Sequence, residues 1–497
     1  MVQWRMIDAY DLVPYTEHAY AESHPDHLQV IAALSGFTGP SSLTPRVLEL
    51  GCGRGGNLLA LAASWPEASF VGVDRSPAQV RDATRIATAA LLSNVSFVVA
   101  DFTREPSTET FDFVLCHGVY SWIPVGDRPA LLDRIRAALA PQGIAYVSFN
   151  TLPGWYRRLA ARDFLRFAAR ASFAGGPRDA LLWLGKAVSP ELAPYRGDLL
   201  AVHERLLATD AAYLTHEYLA EEHHPVHVAT FLEECALADL AYLGDAIPSE
   251  TALELLPDAV RARADPLDTS AALTLADFTR DTAFRRALLV RSDTARASSF
   301  GAPRALDPRA VVAMRASSRL CPLGDAGGSG GSGAETFEGA GTRVVLEGAP
   351  RAALHALAKV APRSISCVEL AHAIGASPAR VASELFELWI AGAGVDLHLR
   401  EPELVSTVSR RPRASPVARW HAIEGGPVTN AWHQEVLLPD TVVRFVLGRL
   451  DGETTTEMLA RAVRERAREG ERVSEVEALS LVEASLAILE KAGLLVG

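Results

Sequence analysis

The 497-residue sequence predicts an α/β protein: a Rossmann-like, doubly wound sheet with a helical insertion, followed by a mainly helical, winged-helix-like domain. Three observations carry this expectation. Short apolar runs between Val47 and Phe149 alternate with segments of helical spacing. A glycine-rich turn, Gly51-Cys52-Gly53-Arg54-Gly55-Gly56, joins the first run to a helix. A glycine- and serine-rich stretch near residue 330 separates this half from a helix-rich remainder.

Residues 1–45 precede the first strand and hold Tyr10-Asp11-Leu12-Val13-Pro14-Tyr15. Ser23 reads there as an N-cap, with Pro25 in the first turn of a helix. The strands are expected at Val47 to Leu50, Phe70 to Val73 ending in Asp74, and Val95 to Ala100 ending at Asp101-Phe102. Phe111 to Cys116 is the fourth and ends at His117-Gly118, and after a helix over Leu131 to Leu139 comes the fifth, Gly143 to Phe149. Trp155 to about Leu214 is an amphipathic helical insertion. Val228 to Leu237 reads as a helix, Leu240 to Gly244 as a strand and Phe284 to Val290 as a helix-to-strand passage; these would complete a seven-stranded sheet. Gly324 to Gly341, containing Gly-Gly-Ser-Gly-Gly-Ser-Gly, is a flexible linker and domain boundary. Beyond it, Gly375 ends one helix and Ser377 caps the next in a helix-turn-helix-like pair. The last stretch places helices around Leu459 to Val463 and Val482 to Leu495. The resulting division is 1–155, 156–300, a linker over 301–341, and 342–497.

A net charge of −12 argues against general affinity for nucleic acid or anionic membranes, and the C-terminal arginines are interspersed with glutamates such as Glu384 and Glu387. A packing or protein-interaction role for the helix-turn-helix stands beside a DNA-binding one. Five widely spaced cysteines without a C-x-x-C pair fit reduced thiols, and Cys52 and Cys116 read as small apolar packing residues. No basic-then-apolar leader and no apolar run of spanning length is seen, so the expected location is cytoplasmic.

The turn carries the chemistry. A dinucleotide site would use G-x-G-x-x-G, but here the pattern is Glu49-x-Gly51-x-Gly53-x-Gly55, with Asn57 following. A carboxylate before the first glycine repels phosphate and suits a cationic ligand, such as the ammonium or sulfonium of S-adenosylmethionine. Asp74, about 20 residues past the turn, stands where a ribose-binding acid belongs. This constellation resembles motif I and the following strand ends of class I S-adenosylmethionine methyltransferases. The order Tyr10-Asp11-x-x-Pro14-Tyr15, His24-Pro25-Asp26, Cys116 to Pro124 and Ser148 to Trp155 is similar to the subfamily with a methyltransferase regulatory domain, which includes rickettsial protein lysine methyltransferases. His216 to Leu219 and Ala276 to Arg280 continue the likeness more loosely.

The resemblance implies S-adenosylmethionine as methyl donor, with S-adenosylhomocysteine as product. It implies that Gly51, Gly53 and Gly55 let the backbone pass the methionine moiety, with Glu49 near its ammonium. Asp74 would accept from the ribose and Arg75 flank the adenine. Asp101 would accept from the adenine amine, with Phe102 against the ring, and His117 and Gly118 would floor the methyl group. Asp101 also reads as an ordinary strand-end turn residue. Near the acceptor, Tyr10, Tyr15, Tyr120, Trp122 and Trp155 supply aromatic faces that can hold a cation, and Asn150 an amide; core packing is the competing role for each ring. Tyr120, Trp122, His117 and Asn150 are the catalytic candidates. The patch His216, His223, His224 and His227 lacks metal-site spacing and reads as a solvated helix terminus, so no metal is expected. The acceptor expected is a protein lysine amine, a small metabolite being the alternative and a catalytically silent scaffold the non-enzyme one; self-association into a homodimer is left open.

Overall fold

The computed structural model describes residues 17–102, 109–173, 175–209, 211–297, 305–323, 333–405, 407–466 and 473–497. Tyr10 and Tyr15 lie outside these. A seven-stranded sheet contains β1 (Arg46–Leu50), β2 (Ser69–Asp74), β3 (Val95–Val99), β4 (Phe111–Cys116), β5 (Leu139–Asn150), β6 (Leu240–Asp245) and β7 (Phe284–Arg291). Their spatial order is β3-β2-β1-β4-β5-β7-β6. The first five are parallel, and β7 slots antiparallel between β5 and β6.

Side chains alternate across each strand, so successive apolar residues feed two cores. Val47, Phe70, Phe113 and Tyr146 face a cluster with Leu28, Ile31, Leu58 and Leu61 from helices Pro25–Leu34 and Gly56–Ser64. Leu48, Leu50, Val114 and Phe149 face the other, with Leu131 and Ile135 of helix Arg128–Ala138 and Phe231 of helix Val228–Leu237. Burial on both faces explains why these strands read as continuous apolar runs. Antiparallel β7 is held by the fully buried Arg285, which pairs with Asp277 at 2.8 Å and with Asp245. Isolated buried charges are costly, so such a group persists only with partners of this kind.

The insertion comprises helices Tyr156–Arg170, Gly176–Ala187 and Ala193–Leu207, which bury Leu165, Leu181, Leu199 and Leu206 in a core of their own. The C-terminal third holds two units. In the first, strands Arg315–Ser318, Ile365–Ser366 and Val395–His398 pair antiparallel beside helices Gly348–Val360, Cys367–Ile374 and Pro378–Ile390. The helix-turn-helix forms as expected, with Gly375 at φ 68° and the Ser377 side chain accepting from the Arg380 N–H. Its apolar residues Leu370 and Leu385 merge with the core of the sheet, so this face is occupied by packing. The second unit builds a separate core from helices Thr441–Leu447, Thr456–Arg466 and Glu475–Lys491.

Four expectations are corrected. Helix Pro25–Leu34 is capped by His24, whose ring accepts from the Asp26 N–H; Ser23 instead closes the preceding turn onto the Tyr20 carbonyl. Phe284 to Val290 is strand throughout, because its residues pair with β5 on one side and β6 on the other. The span 301–341 is more than linker: Arg315–Ser318 is a central strand, and Glu335–Gly339 forms a hairpin with Thr342–Leu346. The closing helix starts at Glu475 under a Ser474 capping box and ends at Lys491.

Candidate cofactor and acceptor site

A cavity of about 400 Å³ opens at the C-terminal edge of the parallel strands, where a ligand of an open α/β sheet belongs. Register places the end of β1 between β2 and β4, with Glu49 opposite both Gly72 and Leu115. The turn after β1 is locked to β2 from both sides. The Gly51 and Cys52 N–H groups donate to the Val73 carbonyl at 2.8 and 3.1 Å. The Gly53 N–H donates to Asp74 at 2.9 Å, and the other Asp74 oxygen accepts from the Ser76 N–H at 2.8 Å. Gly51 has φ 76°, and a Cβ there would lie 2.4 Å from Val119. Only glycine fits such a position without strain.

Glu49 is the most informative group. Its carboxyl is buried, and Oε1 accepts from the Asn57 amide at 3.0 Å. Oε2 is buried with no hydrogen-bond partner among the described residues. Burial, opposed by the Asn57 bond and reinforced by the nearby Asp74, pushes its pKa up to about 8. An unsatisfied buried carboxylate oxygen lining a cavity is the complement of a cationic donor, and the ammonium of S-adenosylmethionine is such a group. Glu49, Gly51, Gly53, Asn57, Asp74, His117 and Gly118 all line the cavity, so the donor set fits that ligand.

Other assignments move. Gly55 does not line the cavity; its φ of 79° begins the helix, and a Cβ would meet the Phe97 ring at 2.7 Å. Arg75, Asp101 and Phe102 lie beyond β2 and β3 and are not part of the cavity wall among the described residues. Phe102 packs beside the core under the sheet, and residues 103–108 after it are not described.

Toward the acceptor end, His117 stacks on the Tyr20 ring with centroids 3.5 Å apart, and its Nδ1 bonds the Tyr146 hydroxyl at 2.9 Å. Burial lowers its pKa to about 3, so the imidazole is neutral. Trp122, Asn150 and Trp155 also line the cavity. Tyr120 does not. In the short turn Tyr120–Trp122 it points the opposite way from Trp122, fully buried, with its hydroxyl donating to Glu234 at 2.5 Å and its ring edge-on to Phe231. Its place is in the core, not at the reacting atoms.

The histidine patch is no solvated terminus: His216 and His223 are buried. His223 bonds the Asn150 amide nitrogen at 3.0 Å and lies 4.5 Å from Trp122 and 4.1 Å from Trp155, so it braces all three. Burial lowers its pKa to about 3. No cluster of three metal-ligating side chains occurs among the described residues. Residues the sequence did not flag complete the wall, Glu17, His18 and Tyr20 from the N-terminal strap, Arg158 and Arg205 from the insertion, and Tyr213; His216 and Glu217, noted in the sequence only as part of a looser likeness and a polar patch, join them from a π-helical turn, Leu214–Leu219. Such turns recur at functional sites. A cluster of polar residues without helical period, broken by Pro225, was the available sign.

Strand order, antiparallel β7 and the Glu49–glycine turn–Asp74 arrangement define a class I methyltransferase. Comparison with known proteins agrees. A methyltransferase domain matches residues 47–143, a predicted methyltransferase regulatory domain 210–291, and the PKMT C-terminal winged helix domain 410–486. An uncharacterized protein of Rickettsia prowazekii is 34% identical over 57% of this chain and 53% of its own length. A second from that organism is 31% identical over 46% of this chain and 93% of its own. The chain thus spans about half the length of the first of these relatives and nearly all of the second. The structure of PKMT2 from Rickettsia typhi, also solved in complex with AdoHcy, superposes with TM-score 0.85 at 22–23% identity, covering 97% of this chain and 100% of that one. The chain belongs to the S-adenosylmethionine-dependent methyltransferases that carry a regulatory domain.

Proposed function

We propose that this protein transfers a methyl group from S-adenosylmethionine to the ε-amine of a lysine in an acceptor protein, acting in the cytoplasm. The observation that carries the donor half is the buried, half-satisfied carboxylate of Glu49 beside the glycine turn, with Asp74 at the next strand end. When bound, the donor supplies a methyl group activated by a sulfonium. Glu49 would hold its ammonium and Asp74 its ribose hydroxyls, fixing the reacting carbon near His117 and Gly118. Trp122, Trp155 and Tyr20 would exclude water and offer ring faces to the alkylammonium of the acceptor. That amine must lose a proton before attack. His117 and His223, with pKa values near 3, are too weak as bases; Glu217, a carboxylate on the insertion side of the cavity wall, would receive it directly or through water.

The protein acceptor is supported by the whole-chain likeness to PKMT2 and by the winged-helix domain it shares. A second reading, a small carboxylic acid as acceptor, is favoured by a trans-aconitate 2-methyltransferase of Methylobacterium radiotolerans, 30% identical over 38% of this chain and 66% of its own. Arg158 and Arg205 in the cavity wall would serve such an anion. Incubation with tritiated S-adenosylmethionine and size-fractionated lysate separates the two. Label in protein, located on lysine by mass spectrometry, supports the first; label confined to the small-molecule fraction supports the second; no label in either contradicts both.

A further inference from the structure

Asn57 is the hub through which the rest of the molecule reaches Glu49. Its oxygen accepts from the Tyr20 backbone N–H at 3.1 Å. A backbone N–H can only donate, which fixes the amide: oxygen toward Tyr20, nitrogen toward Glu49 and Ser23, at 3.0 and 3.1 Å. The same oxygen lies 2.7 Å from Nε2 of His433, so that nitrogen carries the hydrogen and donates. His433 belongs to the C-terminal winged-helix domain, 376 residues away in sequence.

His433 is built for this contact. It is buried and has φ 59°, a left-handed conformation that a side chain with a Cβ rarely adopts. The Asn430 side chain clamps the turn by accepting from the Trp432 and Gln434 N–H groups, both at 3.0 Å. The same domain grips the strap that walls the cavity. His421 bonds Glu17 at 3.0 Å, and Glu17 in turn pairs with Arg54 of the glycine turn at 3.1 Å. Glu435 bonds the His18 ring at 2.9 Å and accepts from the Ala19 N–H at 3.2 Å. Behind the strap lies a cleft of about 560 Å³ lined by Ala19, Trp65, His398, Trp432 and Glu435.

We infer that His433 of the winged-helix domain is a positioning residue for the donor site: through Asn57 it aims the Glu49 carboxylate at the ammonium, so the docked domain strengthens donor binding. The inference rests on the donor assignment above. Fixing a ligating carboxylate through a hydrogen-bonded neighbour is worth ~10-fold in affinity by analogy with outer-shell partners of bound ions.

The test uses the full chain and two probes measured by calorimetry. S-Adenosylhomocysteine carries the ammonium, whereas 5′-methylthioadenosine lacks the amino-acid moiety. His433→Ala is expected to weaken S-adenosylhomocysteine about tenfold and to leave methylthioadenosine within about twofold. His433→Gln, which keeps a donor N–H, is expected to recover most of the loss. In a Glu49→Gln background His433→Ala should change S-adenosylhomocysteine affinity less than about twofold, because the two act as one unit. Equal losses for both probes, or none, would overturn the inference and leave His433 a packing residue. If the unaltered chain binds neither probe, the donor assignment itself falls, an outcome distinct from the others.

Discussion

The donor end and the acceptor end of one cavity are built in opposite ways. The donor end comes from a short stretch of chain: Glu49, the glycine turn, Asn57 and Asp74 lie within 26 residues, around the ends of two adjacent strands. The acceptor end gathers Tyr20, His117, Trp122, Asn150, Trp155, Glu217 and Phe284 from five separate parts of the sequence. The local site draws its ligating groups from one stretch and reaches the rest of the chain chiefly through Asn57 and Arg54. An assembled one depends on the helical insertion, the strap and the C-terminal domain all being in place.

The largest expected effect lies at the donor end. Glu49→Gln keeps the volume and the Asn57 neighbour but removes the charge, and S-adenosylhomocysteine affinity should fall roughly 100-fold, the scale of a buried charge-assisted hydrogen bond. Methylthioadenosine affinity should change little. Next comes pH. With its pKa raised to about 8, Glu49 is mostly protonated in the unliganded chain near neutrality and must ionise to pair with an ammonium. Affinity should therefore rise with pH, approaching tenfold per unit below about pH 8 and levelling above it. Glu49→Gln should flatten this dependence. A flat profile in the unaltered chain would place the ammonium elsewhere.

The sequence rendered these two ends unequally for a physical reason. Strand-end residues that follow apolar runs announce their position, because the sheet fixes where each strand stops; Glu49, Asp74, His117 and Asn150, which line the cavity, are legible for that reason. Sidedness within a short turn is not announced. Tyr120 and Trp122 are two residues apart, and only the packing of Phe231 and Glu234 against one of them decides which faces the cavity. His223 looked like a surface histidine because its partners, Trp122, Asn150 and Trp155, sit more than 65 residues upstream. His433 had no local signal at all. The glycine at Gly55 resembled its neighbours in the motif, yet it serves helix–sheet packing against Phe97.

At the acceptor end, Trp122→Ala should raise the KM for a protein acceptor about tenfold, from lost cation–π contact and apolar area, while S-adenosylhomocysteine affinity stays within about twofold. Steady-state kinetics beside calorimetry checks this; a parallel loss of donor affinity would mean the two ends are not separable. The smallest effect belongs to Tyr120→Phe. Removing the hydroxyl leaves Glu234 without that partner but does not touch the cavity. Turnover should remain within about twofold and stability fall by about 1 kcal/mol, read from urea unfolding. A large loss of turnover without loss of stability would return Tyr120 to the chemistry.

Proton release on donor binding tests the central claim most directly. Titrating S-adenosylhomocysteine at pH 7 in buffers of different ionisation enthalpy should show close to one proton released per site in the unaltered chain, as Glu49 gives up the proton that its pKa of about 8 retains. Release should vanish in Glu49→Gln. Tight binding with no proton released, or release unchanged by that substitution, would contradict the account.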